Sequence, residues 1–193
     1  MKDQATAQRK TKETEIRADI FRAEPIWEID TGIGFFDHML TALFLHAGLG
    51  LRLKTQGDLH IDAHHTVEDT GMVLGMALRD LLEDKANIAR FGQASVPMDE
   101  ALARASADIG GRPFFVLGGQ LPPEGSGAYA YDLTTEFFRA FCQTAGITLH
   151  LEICYGSNGH HMTEALFKAA ARALRQALKP CDGDNSTKGV LDR

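Results

Sequence analysis

The chain has 193 residues, with 20 Lys plus Arg against 26 Asp plus Glu, a formal charge of −6, and 44% apolar residues. That balance describes a folded domain able to bury a core and argues against a general nucleic-acid binder. No apolar run approaches the roughly 18 residues of a membrane helix, residues 1–24 hold no apolar signal core, and Cys142, Cys154 and Cys181 lack CxxC spacing and read as reduced thiols of a cytoplasmic protein.

In chain order, Ile16, Ala18 and Ile20 alternate with charged or polar neighbours and predict a strand over Thr14 to Phe21. A helix follows, carrying Phe36, Asp37, His38, Leu40, Leu43 and His46. Leu49, Leu51 and Leu53 alternate as a strand, and a helix opens at His64 with Met72, Val73, Met76 and Leu82 at helical spacing. Pro97 to Gly119 reads as β structure around a Gly110-Gly111-Arg112-Pro113 turn, and Gly118 to Ala130 as a Gly/Pro-rich loop. Ile147, Leu149 and Leu151 form another alternating strand. Leu166, Phe167, Ala170, Leu174 and Leu178 then mark a long helix that Lys179-Pro180 ends. The tail from Cys181 to Arg193 has little apolar content and is expected to be mobile unless a ligand holds it.

Two stretches repeat. Ala47-Gly48-Leu49-Gly50-Leu51-Arg52-Leu53 resembles Ala145-Gly146-Ile147-Thr148-Leu149-His150-Leu151, each residue 98 positions later. His64-His65-Thr66-Val67-Glu68 matches His160-His161-Met162-Thr163-Glu164 at 96 positions. The second copy is therefore two residues shorter between strand and histidines. The larger offset also sets Leu40 on Phe138, Leu43 on Phe141 and His38 on Glu136. The chain reads as a duplicated unit of helix, strand, loop and a long helix opened by HHxxE.

In HHxxE the glutamate shares a helix face with both histidines, while adjacent imidazoles point about 100° apart. One histidine per ion, with two different ions, is the natural geometry. Imidazole and carboxylate suit Mn, Fe or Zn. Alone, a histidine pair at a helix start reads as a solvated cap; two copies at matching positions point to metal. Asp69 and Ala165 follow the glutamates, so neither copy is HExxH or HxxEH. His38 is a further ligand candidate, with Glu136 in the equivalent place. The same donors would serve a hydrolase whose two ions activate water or a closed structural metal site. Arg90, Arg112, Lys168 and Lys188 could each pair with a phosphate, although each alone reads as a solvated charge.

Phe36-Asp37-His38-Met39-Leu40, Gly57-Asp58-Leu59-His60-Ile61-Asp62 leading into His64-His65-Thr66, Pro97-Met98-Asp99-Glu100-Ala101-Leu102, Gly111-Arg112-Pro113, the second His-His-x-x-Glu164-Ala165 and the tail Ser186-Thr187-Lys188-Gly189-Val190-Leu191 come in one order. Together they resemble the imidazoleglycerol-phosphate dehydratase family, in its monofunctional form, from about Arg9 to the C-terminus. The resemblance implies an α+β fold of internally duplicated half-domains, each a mainly four-stranded sheet with helices packed on one face (ribosomal protein S5 domain 2-like). It implies one domain over 1–193, with repeats at about 9–95 and 96–180 and a substrate-binding tail at 181–193. It implies two Mn2+ ions per site, with Fe2+ or Zn2+ as substitutes, on His38, His64, His65, Glu68, His160, His161 and Glu164. A further ligand, often His in the family, falls on Glu136. Family substrate contacts fall on Glu13, His46, Arg90, Arg112, Lys168, Ser186 and Lys188, with Thr187 between the last two and His38 beside the ring.

The implied reaction is a lyase step of L-histidine biosynthesis. D-erythro-imidazole-glycerol phosphate loses water to give imidazole-acetol phosphate. The hydrogen lost is not activated by a carbonyl, so an electron-rich imidazolate expelling hydroxide through a diazafulvene is the expected route. Glu13, Glu68 or Glu164 is the candidate for proton transfer and His46 for binding or relay. The family also implies a large cubic homo-oligomer, a 24-mer, with metal sites shared between neighbours, in the cytoplasm, with no nucleic-acid or membrane partner.

Overall fold

A computed structural model describes residues 1–85 and 87–181. Its first half runs β1 (Gln4–Lys10), β2 (Thr14–Phe21), β3 (Trp27–Asp30), α1 (Gly34–Ala47), β4 (Gly50–Gly57) and α2 (His64–Leu82). Its second runs β5 (Phe91–Met98), β6 (Ala101–Asp108), β7 (Phe114–Gly118), the short β8 (Gly125–Ser126) and β9 (Tyr129–Ala130), α3 (Leu133–Ala145), β10 (Thr148–Tyr155) and α4 (Gly159–Ala177). Two four-stranded sheets have the same order, β1-β2-β4-β3 and β5-β6-β10-β7. In each, the last pair is parallel (β3 on β4, β7 on β10) and the others are antiparallel. The α+β duplication expected from the sequence is the observed architecture.

The repeated Ala-Gly-aliphatic signature has a local cause. Gly48 (φ 76) and Gly146 (φ 66) are left-handed and end α1 and α3, a conformation open to glycine at little cost. The next residue turns back into the helix, Leu49 N–H donating to Phe44 O at 3.0 Å and Ile147 N–H to Cys142 O at 3.2 Å. The chain then enters a strand whose alternate residues are buried.

The helices fill the space between the sheets. α2 lies on β1 and β2, and α4 on β5 and β6; across the middle, α1 packs on α4 and α2 on α3. Buried rings of Phe36, Phe137, Phe138, Phe141 and Phe167 stack or meet edge-on there. Gly71 of α2 lies so near α3 that a methyl group would sit 2.6 Å from Phe137 O. On the second sheet Ala101, Ala103, Ala105 and Ala107 present a small-residue face to an alanine-rich α4. No helix among the described residues is long and apolar enough to cross a membrane.

The strand expected over Thr14 to Phe21 is β2. Three edge strands were not legible or began elsewhere. β1 buries only Ala5 and Ala7, β3 is four residues long, and β5 starts at Phe91 rather than Pro97 with mostly outward side chains. The repeat division expected at 95/96 therefore falls inside β5, and a start at residue 9 falls inside β1; a join at 83–90 leaves both sheets whole. The segment read as a loop over Gly118 to Ala130 contains the β8–β9 hairpin.

Candidate active site

Both histidine pairs stand on helix starts. Asn158 caps α4, its side-chain oxygen accepting from the His160 and His161 N–H groups at 2.9 and 3.3 Å. At α2 the Asp62 carboxylate accepts from His64 N–H at 2.8 Å. The adjacent rings splay as helical geometry requires. His64 and His65 lie 6.0 Å apart at 85°, and His160 and His161 lie 6.1 Å apart at 81°. One member of each pair turns into a cluster and the other turns away.

The first cluster joins His38 of α1 to His160 and Glu164 of α4, with donor atoms all within 4.8 Å. His160 Nε2 lies 3.1 Å and His38 Nε2 3.4 Å from Glu164 Oε2, while Lys168 donates to Glu164 Oε1 at 2.7 Å. The Glu164 side chain is 7% exposed. Burial pushes its pKa upward, but the Lys168 ammonium and His38 outweigh that and hold it below the usual carboxylate range. Phe35 stands edge-on to His160 at 5.0 Å, with Tyr129 and Tyr131 against it, as an aromatic wall.

The second cluster joins His64 and Glu68 of α2 to Glu136 of α3, again within 4.8 Å. It is more open: Glu68 is 43% and Glu136 27% exposed. Arg139 donates to Glu136 Oε2 at 2.6 Å. Glu136 thus joins a cluster in the position His38 takes in the other. Each cluster takes helices from both halves, α1 with α4 and α2 with α3. Imidazole-carboxylate sets of this kind fit a first-row divalent ion, and the described residues hold two of them.

His65 and His161 belong to neither cluster. His65 Nδ1 lies 2.9 Å from Asp58 Oδ2, and His161 Nδ1 lies 2.7 Å from Glu100 Oε2. These contacts raise both imidazole pKa values. Glu100 is held down at about 2 by His161 and by the Asn158 and Ser157 N–H groups. Neither carboxylate was among the sequence candidates. A partner 61 positions away, as in Glu100 and His161, leaves no spacing to read.

Of the other candidates, Lys168 joins the first cluster, and Glu13, in the β1–β2 turn, is close enough to act on the charge of His65. His46 lies farther along α1, where burial and the charges of Lys168 and Arg172 lower its pKa. Arg90 sits at the other end of α4. Its N–H donates to Ala177 O, its guanidinium grips Asp108 at 2.7 and 3.2 Å, and it lies over the Phe91 ring. At 1.5 Å per residue, His160 and Ala177 are about 25 Å apart along the helix. Arg112 shares that far end, its carbonyl accepting from Thr148 Oγ1 at 2.9 Å. Ser186, Thr187 and Lys188 lie outside the described residues.

The family model for imidazoleglycerol-phosphate dehydratase matches residues 31–174, which include all six cluster residues. The chain belongs to the imidazoleglycerol-phosphate dehydratase family. The imidazoleglycerol-phosphate dehydratases of Limosilactobacillus fermentum and Bacillus cereus are each 48% identical to it, over 191 and 192 residues, covering 97% of this chain and 98% and 99% of theirs. The crystal structure of the imidazoleglycerol-phosphate dehydratase of Staphylococcus aureus overlays with a TM-score of 0.84 at 39% identity, covering 92% of this chain and 99% of that one. That of Pyrococcus furiosus gives 0.83 at 37%, covering 95% and 99%. The resemblance drawn from the motifs is thus borne out along nearly the whole chain, and its relatives are dehydratases.

Proposed function

We propose that this protein dehydrates D-erythro-imidazole-glycerol phosphate to imidazole-acetol phosphate in L-histidine biosynthesis, in the cytoplasm, as one dehydratase domain of two repeats with a substrate-binding tail at 181–193. The observation that carries the reading is the pair of pseudo-equivalent His/Glu clusters, one per repeat junction, in a chain of this family. His38, His160 and Glu164 would hold one Mn2+ ion and His64, Glu68 and Glu136 the other, with His65 and His161 as further ligands at sites shared with neighbouring copies, and with Fe2+ or Zn2+ as substitutes. Ions held there would supply Lewis acidity towards an imidazole ring, lowering its N–H pKa and favouring loss of the hydroxyl from the adjacent carbon.

The chain's own groups divide the remaining work. Glu164 is buried and salt-bridged to Lys168, so it stays ionised and serves as a ligand. Glu13 is exposed in its turn and is the carboxylate free to move the proton between carbon and solvent. His46, whose burial and neighbouring cations favour the neutral imidazole, serves in substrate binding or relay. Arg90, Arg112, Ser186, Thr187 and Lys188 take the phosphate.

Arg90 and Arg112 lie at the end of the unit opposite the first cluster, a span of about 25 Å along α4 that a three-carbon phosphate cannot bridge. The reading therefore needs a neighbouring copy to bring its arginines to these metals, in keeping with a cubic 24-mer. Exposed Leu59 and Ile61 beside the α2 histidines, and Tyr155 leading towards the α4 pair, supply apolar surface for that assembly.

The test is direct. Purified protein supplied with Mn2+ should convert the substrate to a ketone that still carries its phosphate. Release of inorganic phosphate without the ketone would identify a hydrolase instead.

A further inference from the structure

The two histidines outside the clusters share a feature that the duplication does not explain. Each imidazole has a carboxylate at Nδ1, Asp58 for His65 at 2.9 Å and Glu100 for His161 at 2.7 Å. Yet the two carboxylates occupy non-equivalent places. Asp58 begins the β4–α2 loop, residues 58–63, whereas the β10–α4 loop spans only 156–158. The position equivalent to Asp58, 98 residues on, is Gly156. A methyl group there would lie 2.5 Å from Met162 Cγ and 2.9 Å from Ala101 Cβ, so no side chain fits. The second half reaches the same contact from a different element, the β5–β6 turn. Two routes to one arrangement mark the arrangement as something the histidines need, beyond what was inherited with the unit.

We infer that Asp58 and Glu100 are positioning residues that keep the proton of His65 and His161 on Nδ1 and leave each Nε2 lone pair free for a divalent metal ion. This rests on the dehydratase reading, in which both histidines are ligands. A carboxylate accepts and cannot donate, so it selects the tautomer with hydrogen on Nδ1 and fixes the ring's direction. Glu100 is itself held in place. Its Oε1 accepts from Ser157 N–H at 3.1 Å, Ser157 Oγ at 3.3 Å and Asn158 N–H at 2.7 Å, leaving Oε2 for the imidazole. Asp58 is 10% exposed on its side chain, its Oδ1 is buried with no hydrogen-bond partner among the described residues, and its Oδ2 is engaged by His65. Asp99 Oδ2 lies 3.7 Å from His161 Nε2, beyond hydrogen-bond reach, and is 76% exposed.

The geometry makes Glu100→Gln a pointed test. Three donors pin the oxygen side of the new amide, so its NH2 must face His161 Nδ1. That forces the proton to Nε2, where it blocks metal. The measurement is calorimetric titration of Mn2+ into the chelator-stripped, full-length assembled protein, with thermal unfolding run in parallel. Glu100→Gln and Asp58→Ala should each weaken Mn2+ binding about 10–100-fold while unfolding in the metal-free state stays near the wild-type temperature. Asp99→Asn removes an equal charge beside the same imidazole without touching Nδ1 and should leave affinity within about threefold. Wild-type affinity in folded Glu100→Gln and in Asp58→Ala would overturn the inference alone. An equal loss in Asp99→Asn would replace positioning with bulk charge and overturn it too. A wild-type protein that binds no Mn2+ would overturn the di-metal reading and this inference together.

Discussion

The two His/Glu clusters occupy equivalent places in a duplicated fold, yet they are chemically unlike. The α1–α4 cluster has two imidazoles and one buried carboxylate steadied by Lys168; the α2–α3 cluster has one imidazole and two half-open carboxylates with Arg139 beside them. The helix pairs that carry them also differ. At the positions where α4 has Phe167 and Ala171, 96 residues on, α2 has Gly71 and Gly75, so α2 and α3 approach closely, whereas Phe167 of α4 packs its ring on Phe137 and Phe138 of α3. A duplicated frame can thus hold the positions of matching side chains while their charge and burial diverge. The outcome is one nitrogen-rich cluster whose carboxylate is buried and one oxygen-rich cluster whose carboxylates are partly exposed.

The sharpest break in that comparison is functional. Glu164→Gln should lower turnover on the order of 10²–10⁴-fold, because a buried carboxylate facing two imidazoles and an ammonium has no substitute nearby. Glu136→Gln should cost less, about 10-fold, since Glu68 remains. Equal losses in saturating Mn2+ would show the clusters to be equivalent. Next comes metal preference. With Zn2+ and Mn2+ supplied together, anomalous scattering should find Zn2+ enriched at the nitrogen-rich cluster and Mn2+ at the other. Glu136→His should pull the second towards Zn2+.

The packing difference predicts a smaller, structural effect. Gly71→Ala places a methyl against Phe137 O and should destabilise by about 1–3 kcal/mol, read by denaturant unfolding, whereas Ala171→Gly in α4 costs about 1 kcal/mol. The smallest expected effect is at His46. Its folded pKa lies below the unfolded 6.5, so the unfolded chain takes up that proton first. Its contribution to stability is intact above about pH 6.5 and is lost as the pH falls below that towards the folded value. His46→Gln should therefore flatten the fall of Tm between pH 6.5 and 5. An unchanged slope would move that acid sensitivity elsewhere.

The parts of this molecule written in local spacing were legible before the structure. The Ala-Gly-aliphatic stops, the alternation of Leu49, Leu51 and Leu53, and both HHxxE helix starts each record a contact made within a few residues, and they located the duplication. Edge strands were harder, because β1 and β5 put polar side chains outward and little apolar pattern remains. At the candidate site, the splay of the adjacent histidines followed from helical geometry. Which helix faces which did not. His38 meets Glu164 across 126 positions, and nothing in the spacing of either forecasts it. Glu136 was the weakest candidate by family pattern, and its place beside His64 and Glu68 comes from α3 crossing α2.

That crossing has a consequence for the halves themselves. A chain cut between α2 and β5 would yield two fragments, neither holding a whole His/Glu cluster, since His38 would part from Glu164 and Glu136 from His64. Docking of the fragments and capture of divalent ions would then be thermodynamically linked, each tightening the other by the same factor. A lone ancestral unit with this wiring would have completed its clusters only against a twin, as an isologous pair with two identical seams.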